Sequence, residues 1–233
     1  MEQKILQLQP RLQLLSELVE PGSRLADIGT DHGYLPVYLI QSGKIAFAIA
    51  ADVGSEPLQH AVRTAQEYGV SGIDFRLCDG LIGISPEEID TIVIAGMGGE
   101  TMIHILSAAP WTKTPETYHL ILQPMTKIGE LRRWLTDNEY TFTGERLVRD
   151  KDFLYPVLLV TGGVQATLSD VEQEYGVLLK DDPLYGEYLG MQIGRLRHTV
   201  EGMRRSEKVD IRIEAEKLAQ RCELLQKMRE ELS

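Results

Sequence analysis

Between Arg24 and Val160 the chain alternates short apolar runs with helical patterns, and few folds other than a parallel sheet covered by helices on both faces can use that alternation. The runs are RLADI (24 to 28), IAFAIAA (45 to 51), IDFRL (73 to 77), TIVIA (91 to 95), HLIL (119 to 122), TFTGERLV (141 to 148) and FLYPVLLV (153 to 160). Only the last two are close enough to be joined as a hairpin. The pattern predicts helices at about 33 to 41, 57 to 68, 100 to 108 and 127 to 138. Ahead of the first strand, Ile5, Leu8, Leu12, Leu15 and Leu18 mark an amphipathic leading helix that Pro10 interrupts.

After Gly162 and Gly163 the strand patterns stop. Ser169 with Glu172 reads as a capping box opening a short helix, and Asp181-Asp182-Pro183 as the opening of a longer one. Leu189, Ile193, Leu196, Val200 and Met203 then recur with heptad spacing, as do Ile211, Ala215, Leu218, Cys222 and Leu225 in the next helix. Two such stripes across a polar turn predict an antiparallel coiled-coil hairpin. The expected organisation is α/β, with a first domain at 1–163 and a helical domain at 164–233.

Composition narrows the function. No stretch nears the roughly 20 apolar residues of a bilayer crossing, and MEQKILQLQPRLQLL lacks the apolar block and cleavage site of a signal peptide. The expectation is therefore a cytoplasmic protein with no membrane partner. The two cysteines and five histidines show no ligand spacing, so no metal is expected. A net charge of −11 argues against non-specific coating of nucleic acid. Yet 11 of the 24 basic residues lie beyond residue 168 with only 14 of the 35 acidic ones, so a polyanion would meet that part first. The stripes can be satisfied within one chain or between two, giving a monomer or a weak homodimer.

In an open α/β sheet the ligand lies beyond the carboxyl ends of the strands, where this sequence is most distinctive. The first strand ends in Asp27-Ile-Gly29-Thr30-Asp31-His-Gly33. A dinucleotide turn needs glycine where Asp31 stands, and a carboxylate there repels a pyrophosphate but tolerates a cation. Asp52 follows the second strand, at a distance from the turn that suits an acceptor for ribose hydroxyls, and Asp79-Gly80 follows the third. Three acids after three successive strands describe a site for a nucleoside without phosphates. The fourth strand ends in Ala95-Gly96-Met97-Gly98-Gly99-Glu100 and the fifth in Gln123-Pro124-Met125, the glycines leaving room for a flat ring.

This anatomy resembles the class I S-adenosylmethionine-dependent methyltransferases. The strings DIGTDHGYLP, CDGL, IAGMGGE and QP, followed by a helical hairpin, resemble more narrowly the bacterial tRNA (adenine(22)-N1)-methyltransferase family, over essentially the whole chain. The resemblance implies a Rossmann-like seven-stranded class I methyltransferase sheet and S-adenosylmethionine as cofactor. It implies that Asp27, Gly29, Thr30, Gly33, Asp52, Val53, Asp79, Gly80, Ala95, Gly96 and Met97 form the cofactor site. Gly98, Gly99 and Pro124 would face the incoming base with Glu100 and Gln123. Read from the residues themselves, Arg11 is a further substrate-side candidate, and Tyr155 in the last strand is a ring able to stack on a base. The implied partner is tRNA, held by the C-terminal arm.

The residues present also limit the chemistry. Methylation at pyrimidine C5 needs a cysteine nucleophile, and exocyclic amine methylation commonly uses a (D/N)PP(Y/F) element where this chain has GMGG. A ring nitrogen remains. Adenine N1 has an in-plane lone pair and needs desolvation and alignment rather than a strong base. The methylated base is cationic, which makes Asp31 and Glu100 the candidate charge-stabilising residues, with Gln123 beside them. Phosphate candidates are Arg11, Lys127, Arg132, Arg133, Arg146, Arg149 and Lys151, with Arg195, Arg197, Arg204, Arg205, Lys208 and Arg212 on the hairpin. Two alternatives stay open: a non-catalytic RNA-binding protein that retains a nucleoside pocket, and a methyltransferase acting on another RNA ring nitrogen. An oxidoreductase is disfavoured by Asp31.

Overall fold

A computed structural model describes residues 5–232. The chain forms two compact units, one up to Leu178 and one from Leu179. In the first, seven strands lie in one sheet: β1 (Arg24–Ile28), β2 (Phe47–Asp52), β3 (Ile73–Leu77), β4 (Thr91–Gly98), β5 (His119–Thr126), β6 (Tyr140–Asp150) and β7 (Phe153–Gly162). Their order is β3-β2-β1-β4-β5-β7-β6, with β1 to β5 parallel and β7 antiparallel to both its neighbours. The order reverses between β1 and β4, so the crevice at a topological switch point opens beside the ends of those two strands.

The residues of the central strands divide between the two faces with the period of two that a pleated strand imposes. Ala26, Ile28, Ile92, Ile94, Leu120 and Leu122 pack into one buried cluster, whereas Leu25, Val93 and Ile121 pack into another on the opposite face. Helices α1 (Pro10–Leu18), α2 (Tyr34–Gln41), α3 (Ser55–Glu67), α4 (Gly99–Ser107) and α5 (Ile128–Asp137) connect or precede the strands. The expected leading helix loses its first part: α1 begins with Pro10 at its first helical position. Proline has no N–H for an upstream carbonyl and its ring would clash there, so it opens this helix rather than sitting inside it.

The first unit also runs further than the composition boundary at 163/164 suggested. Helix α6 (Asp170–Tyr175) opens with the expected Ser169/Glu172 capping box and packs against α5. Arg132, one of the phosphate candidates, explains the attachment and is itself corrected by it. Its side chain is fully buried, donating from Nε to Glu145 Oε1 at 2.8 Å and from Nη1 to the Gln173 carbonyl at 2.9 Å. Glu145 Oε2 accepts the backbone N–H groups of Val177 and Leu178. A buried charge must be paired and hydrogen-bonded, and this pair recruits the α6 segment to satisfy itself. No phosphate can reach Arg132.

The second unit is a hairpin of α7 (Tyr185–Arg204) and α8 (Val209–Glu230) packed along one another. Its seam buries Leu189, Ile193, Val200, Ala215, Cys222 and Leu225, all drawn from the predicted stripes. This unit carries 11 basic and 11 acidic side chains, so the net charge of −11 resides on the first unit.

Candidate active site

The turn after β1 bends through three left-handed residues, Gly29, Asp31 and Gly33, with φ of 73°, 49° and 65°. Gly29 suits its left-handed φ, which side chains rarely adopt, and a Cβ there would also require the Met97 methyl group to move. Asp31 adopts its unfavourable φ while its N–H donates to Asp52 Oδ2 at 3.3 Å, tying the turn to the end of β2. Beneath it, Asp27 is buried and accepts from Thr30 Oγ1 at 2.7 Å, so Thr30 serves by holding Asp27. Burial, opposed by the Thr30 bond and assisted by the charge of Asp52, pushes the Asp27 carboxyl up to about 6. Gly33 is buried against Ala61 and supports the wall rather than lining it.

A cleft of about 470 Å³ opens over this turn, lined by Asp27, Gly29, Thr30, Asp31, Ala95 and Gly96 and by Arg11 and Leu12 of α1. A cavity of about 230 Å³ shares Gly29, Ala95 and Gly96 with it and is lined further by Asp52, Val53, Asp79, Gly80 and Met97. Every residue expected at the cofactor site except Gly33 lines one or the other. Asp52 Oδ1 accepts the Gly54 N–H at 2.8 Å, which orients the carboxylate. Cys78 borders the second cavity, and burial pushes its thiol up, away from the thiolate a nucleophile would need.

On the other side, β4 carries an irregularity: Ala95 pairs with Gln123 and Met97 with Pro124, leaving Gly96 as the extra residue, with φ 75°. Its N–H is taken instead by Gln123 Oε1 at 3.2 Å. The same oxygen accepts Arg11 Nη1 at 3.3 Å, and Gln123 Nε2 donates to the Pro124 carbonyl. Gln123 is fully buried, so the structure gives it no surface for a base; it fixes Gly96 and Arg11. Pro124 is buried too. Gly99 is buried where a Cβ would meet the Lys127 carbonyl at 2.5 Å, and Gly98 lies against Thr126 Oγ1. Glu100 is exposed in the first turn of α4, its charge felt by Lys127, and it lines neither cavity. Tyr155 of β7 packs against the apolar cluster that includes Leu14 and Leu15 of α1.

The structure adds three residues that sequence reasoning missed. Tyr34, His32 and His60 come together, with the His32 and Tyr34 rings stacked at 5.2 Å and the His32 and His60 rings at 4.9 Å. His32 and Tyr34 fell within the DIGTDHGYLP string without a role of their own, and nothing linked His60 of α3 to the turn after β1. Donor atoms of Asp31, His32 and His60 lie within 4.8 Å of one another. The two imidazole planes are only 12° apart, however, so their in-plane lone pairs do not converge on one ion, and the group is a ring stack rather than a coordination sphere.

A methyltransferase domain family matches residues 8–158 of the chain. The tRNA (adenine(22)-N(1))-methyltransferase of Bacillus subtilis (strain 168) is 35% identical over 188 residues, which cover 80% of this chain and 76% of that one. The chain belongs to the tRNA (adenine(22)-N1)-methyltransferase family. The likeness to family members extends through the second unit. The crystal structure of the B. subtilis m1A22 tRNA methyltransferase TrmK has a TM-score of 0.83 at 29% identity, covering 96% of this chain and 99% of that one. M. capricolum TrmK, solved in complex with the natural cofactor product S-adenosyl-homocysteine, has a TM-score of 0.79 at 26% identity, covering 97% of this chain and 99% of that one. The seven-stranded sheet thus matches the methyltransferase fold that the sequence motifs implied.

Proposed function

We propose that this protein transfers a methyl group from S-adenosylmethionine to N1 of adenine 22 in tRNA, with the first unit holding cofactor and base and the hairpin holding the RNA. The observation that carries the reading is the set of acids at three strand ends, Asp27, Asp52 and Asp79, lining two adjoining cavities. That donor set suits a cationic nucleoside without phosphates. Asp52 accepts from the ribose hydroxyls, and Asp79 with Gly80 borders the adenine ring. Asp27 faces the methionine ammonium. Arg11, expected on the substrate side, lines the same cleft as Asp27 and is held by Gln123, so we assign it to the methionine carboxylate. When bound, the cofactor supplies an electrophilic methyl group on a sulfonium.

The chain's own part in the reaction is alignment and charge. Adenine N1 brings its lone pair, so no residue has to remove a proton before attack. The base turns cationic as the bond forms, and a carboxylate at the cleft lowers the energy of that charge. Asp31 lines the cleft and Glu100 does not, which favours Asp31 for this role. The left-handed turn and the β4 bulge shape the two walls largely from backbone, with the Met97 side chain reaching toward Gly29. Among the phosphate candidates, Arg205, Lys208 and Arg212 are exposed around the α7–α8 turn, whereas Arg204 is engaged by Glu216 at 3.0 Å. We infer that the chain acts without a metal ion, as a monomer or weak homodimer. Among the described residues no helix is long and apolar enough to cross a membrane.

The test is to incubate the pure protein with labelled cofactor and bulk tRNA, then map the product by nuclease digestion and mass spectrometry. N1-methyladenosine at position 22 is the expected product, and a methyl group on another ring nitrogen would favour the broader assignment. Asp52→Ala should abolish detectable cofactor binding by calorimetry, because each lost hydrogen bond to a charged acceptor is worth about 1.5–3 kcal/mol. Unchanged affinity would place the adenosine elsewhere.

A further inference from the structure

We propose that the stacked rings of Tyr34, His32 and His60 form a platform on which the target adenine lies, with Tyr34 as the contacting face. This rests on the tRNA-methylating reading above and extends it to recognition of the base. The rings are close to parallel: His32 is tilted by 8° from Tyr34 and by 12° from His60. Tyr34 and His32 line the same 470 Å³ cleft as Asp27 and Gly96. Tyr34 is 39% exposed although it opens an otherwise mostly buried helix. Its ring is thus open to the cleft side of the turn, whereas Tyr140 and Tyr188 are sealed in the interior.

Two physical needs of the reaction meet at this face. Adenine N1 lies on the Watson-Crick edge, so a paired target leaves its helix to react and loses its stacking partners. A flat ring backed by two others replaces one of them without itself becoming ordered on binding. Methylation also makes the base cationic, and the face of a tyrosine ring is the negative part of its quadrupole. Asp31 stands beside it, exposed, its carboxylate 3.7 Å from His32 Nε2. Asp31 therefore adds negative charge at the same lip. His32 and Tyr34 lie in the turn whose flanking residues Asp31 and Gly33 are left-handed, with φ of 49° and 65°. His60 acts through His32 and is a positioning residue.

A binding cycle tests this without turnover. The full-length protein and its Tyr34→Ala variant are each titrated with two tRNAs, one with adenine and one with an abasic residue at the target position. The wild type should prefer the adenine tRNA by on the order of tenfold, the range that stacking of one base on one aromatic ring supplies. Tyr34→Ala should bind both RNAs alike, Tyr34→Phe should keep the preference, and His60→Ala should keep part of it. If Tyr34→Ala melts at a lower temperature, Tyr34→Leu, which preserves apolar bulk but not the ring, takes its place. A preference that survives loss of the ring overturns the platform, and so does a wild type that does not distinguish the two RNAs. Failure of the wild type to methylate adenine 22 counts against the functional reading instead, since the binding cycle depends on no chemistry.

Discussion

Asp27 illustrates how a binding residue acts against the stability of the empty fold. Its carboxyl is raised by burial from 3.8 to about 6. The folded chain therefore binds a proton more tightly than the unfolded one, and the stability this contributes is full below pH 3.8 and is lost as pH rises through about 6. By neutral pH the difference is on the order of 3 kcal/mol. Asp27→Asn should accordingly raise the melting temperature of the cofactor-free protein at pH 7.5. The same substitution should weaken S-adenosylmethionine binding, because the ionised carboxylate is what attracts the ammonium. In the wild type, cofactor affinity should fall as pH drops below about 6, a limb that Asp27→Asn lacks. Calorimetric titrations at a series of pH values on both sides of about 6 would reveal it. A flat profile in the wild type would remove Asp27 from contact with the cofactor.

At the scale of elements, the end of β4 works through what its glycines leave out. Gly98 and Gly99 are adjacent and look equivalent in sequence, yet their surroundings differ. A Cβ on Gly99 would sit 2.5 Å from the Lys127 carbonyl oxygen, which belongs to the backbone entering α5 and cannot rotate away. At Gly98 the nearest atom is Thr126 Oγ1 at 3.0 Å, a hydroxyl that can turn. Gly99→Ala should therefore cost about 1–3 kcal/mol of stability, the usual range for overpacking, and Gly98→Ala well under that. Urea midpoints of the two variants provide the comparison, and equal losses would mean that the crossing of the β4 and β5 ends is looser than its geometry indicates.

For the whole molecule, the place where the chain is cut decides what is learned. All 11 basic residues beyond position 168 also lie beyond Leu178, in the second unit. A chain ending at Leu178 should fold, bind S-adenosylmethionine normally and methylate tRNA with a raised KM and a shallower dependence of affinity on salt. A chain ending at residue 165 loses the same basic residues but also the Gln173 carbonyl and the Val177 and Leu178 N–H groups that satisfy Arg132 and Glu145. Each such bond to a charged group is worth about 1.5–3 kcal/mol, so this shorter chain should melt well below the other or aggregate. If both methylate tRNA at the full-length rate, the hairpin is not the tRNA-binding part. If both melt alike, the buried pair does not need α6.

What the sequence determined by itself was whatever local periodicity and strand-end chemistry encode. The short apolar runs predict all seven strands, Ser169 and Glu172 predict their capping box, and the heptad stripes predict the faces on which α7 and α8 meet. The cofactor residues were legible for a related reason: in a parallel sheet the strand ends converge on one edge, so an acid after a strand is near the site wherever that strand stands. Only the tertiary structure could separate Arg132 from Arg133, neighbours of which one is sealed against Glu145 and the other lies on the surface. Burial of a charge depends on a partner 13 residues away on another element. Likewise Gln123 turned from a base-facing residue into the clamp on Arg11, a contact across 112 residues, and His60 joined His32 from a separate helix. Such pairings are set by how α1, α3, α5 and α6 pack against the sheet, and no local pattern records which side chains that packing brings within reach.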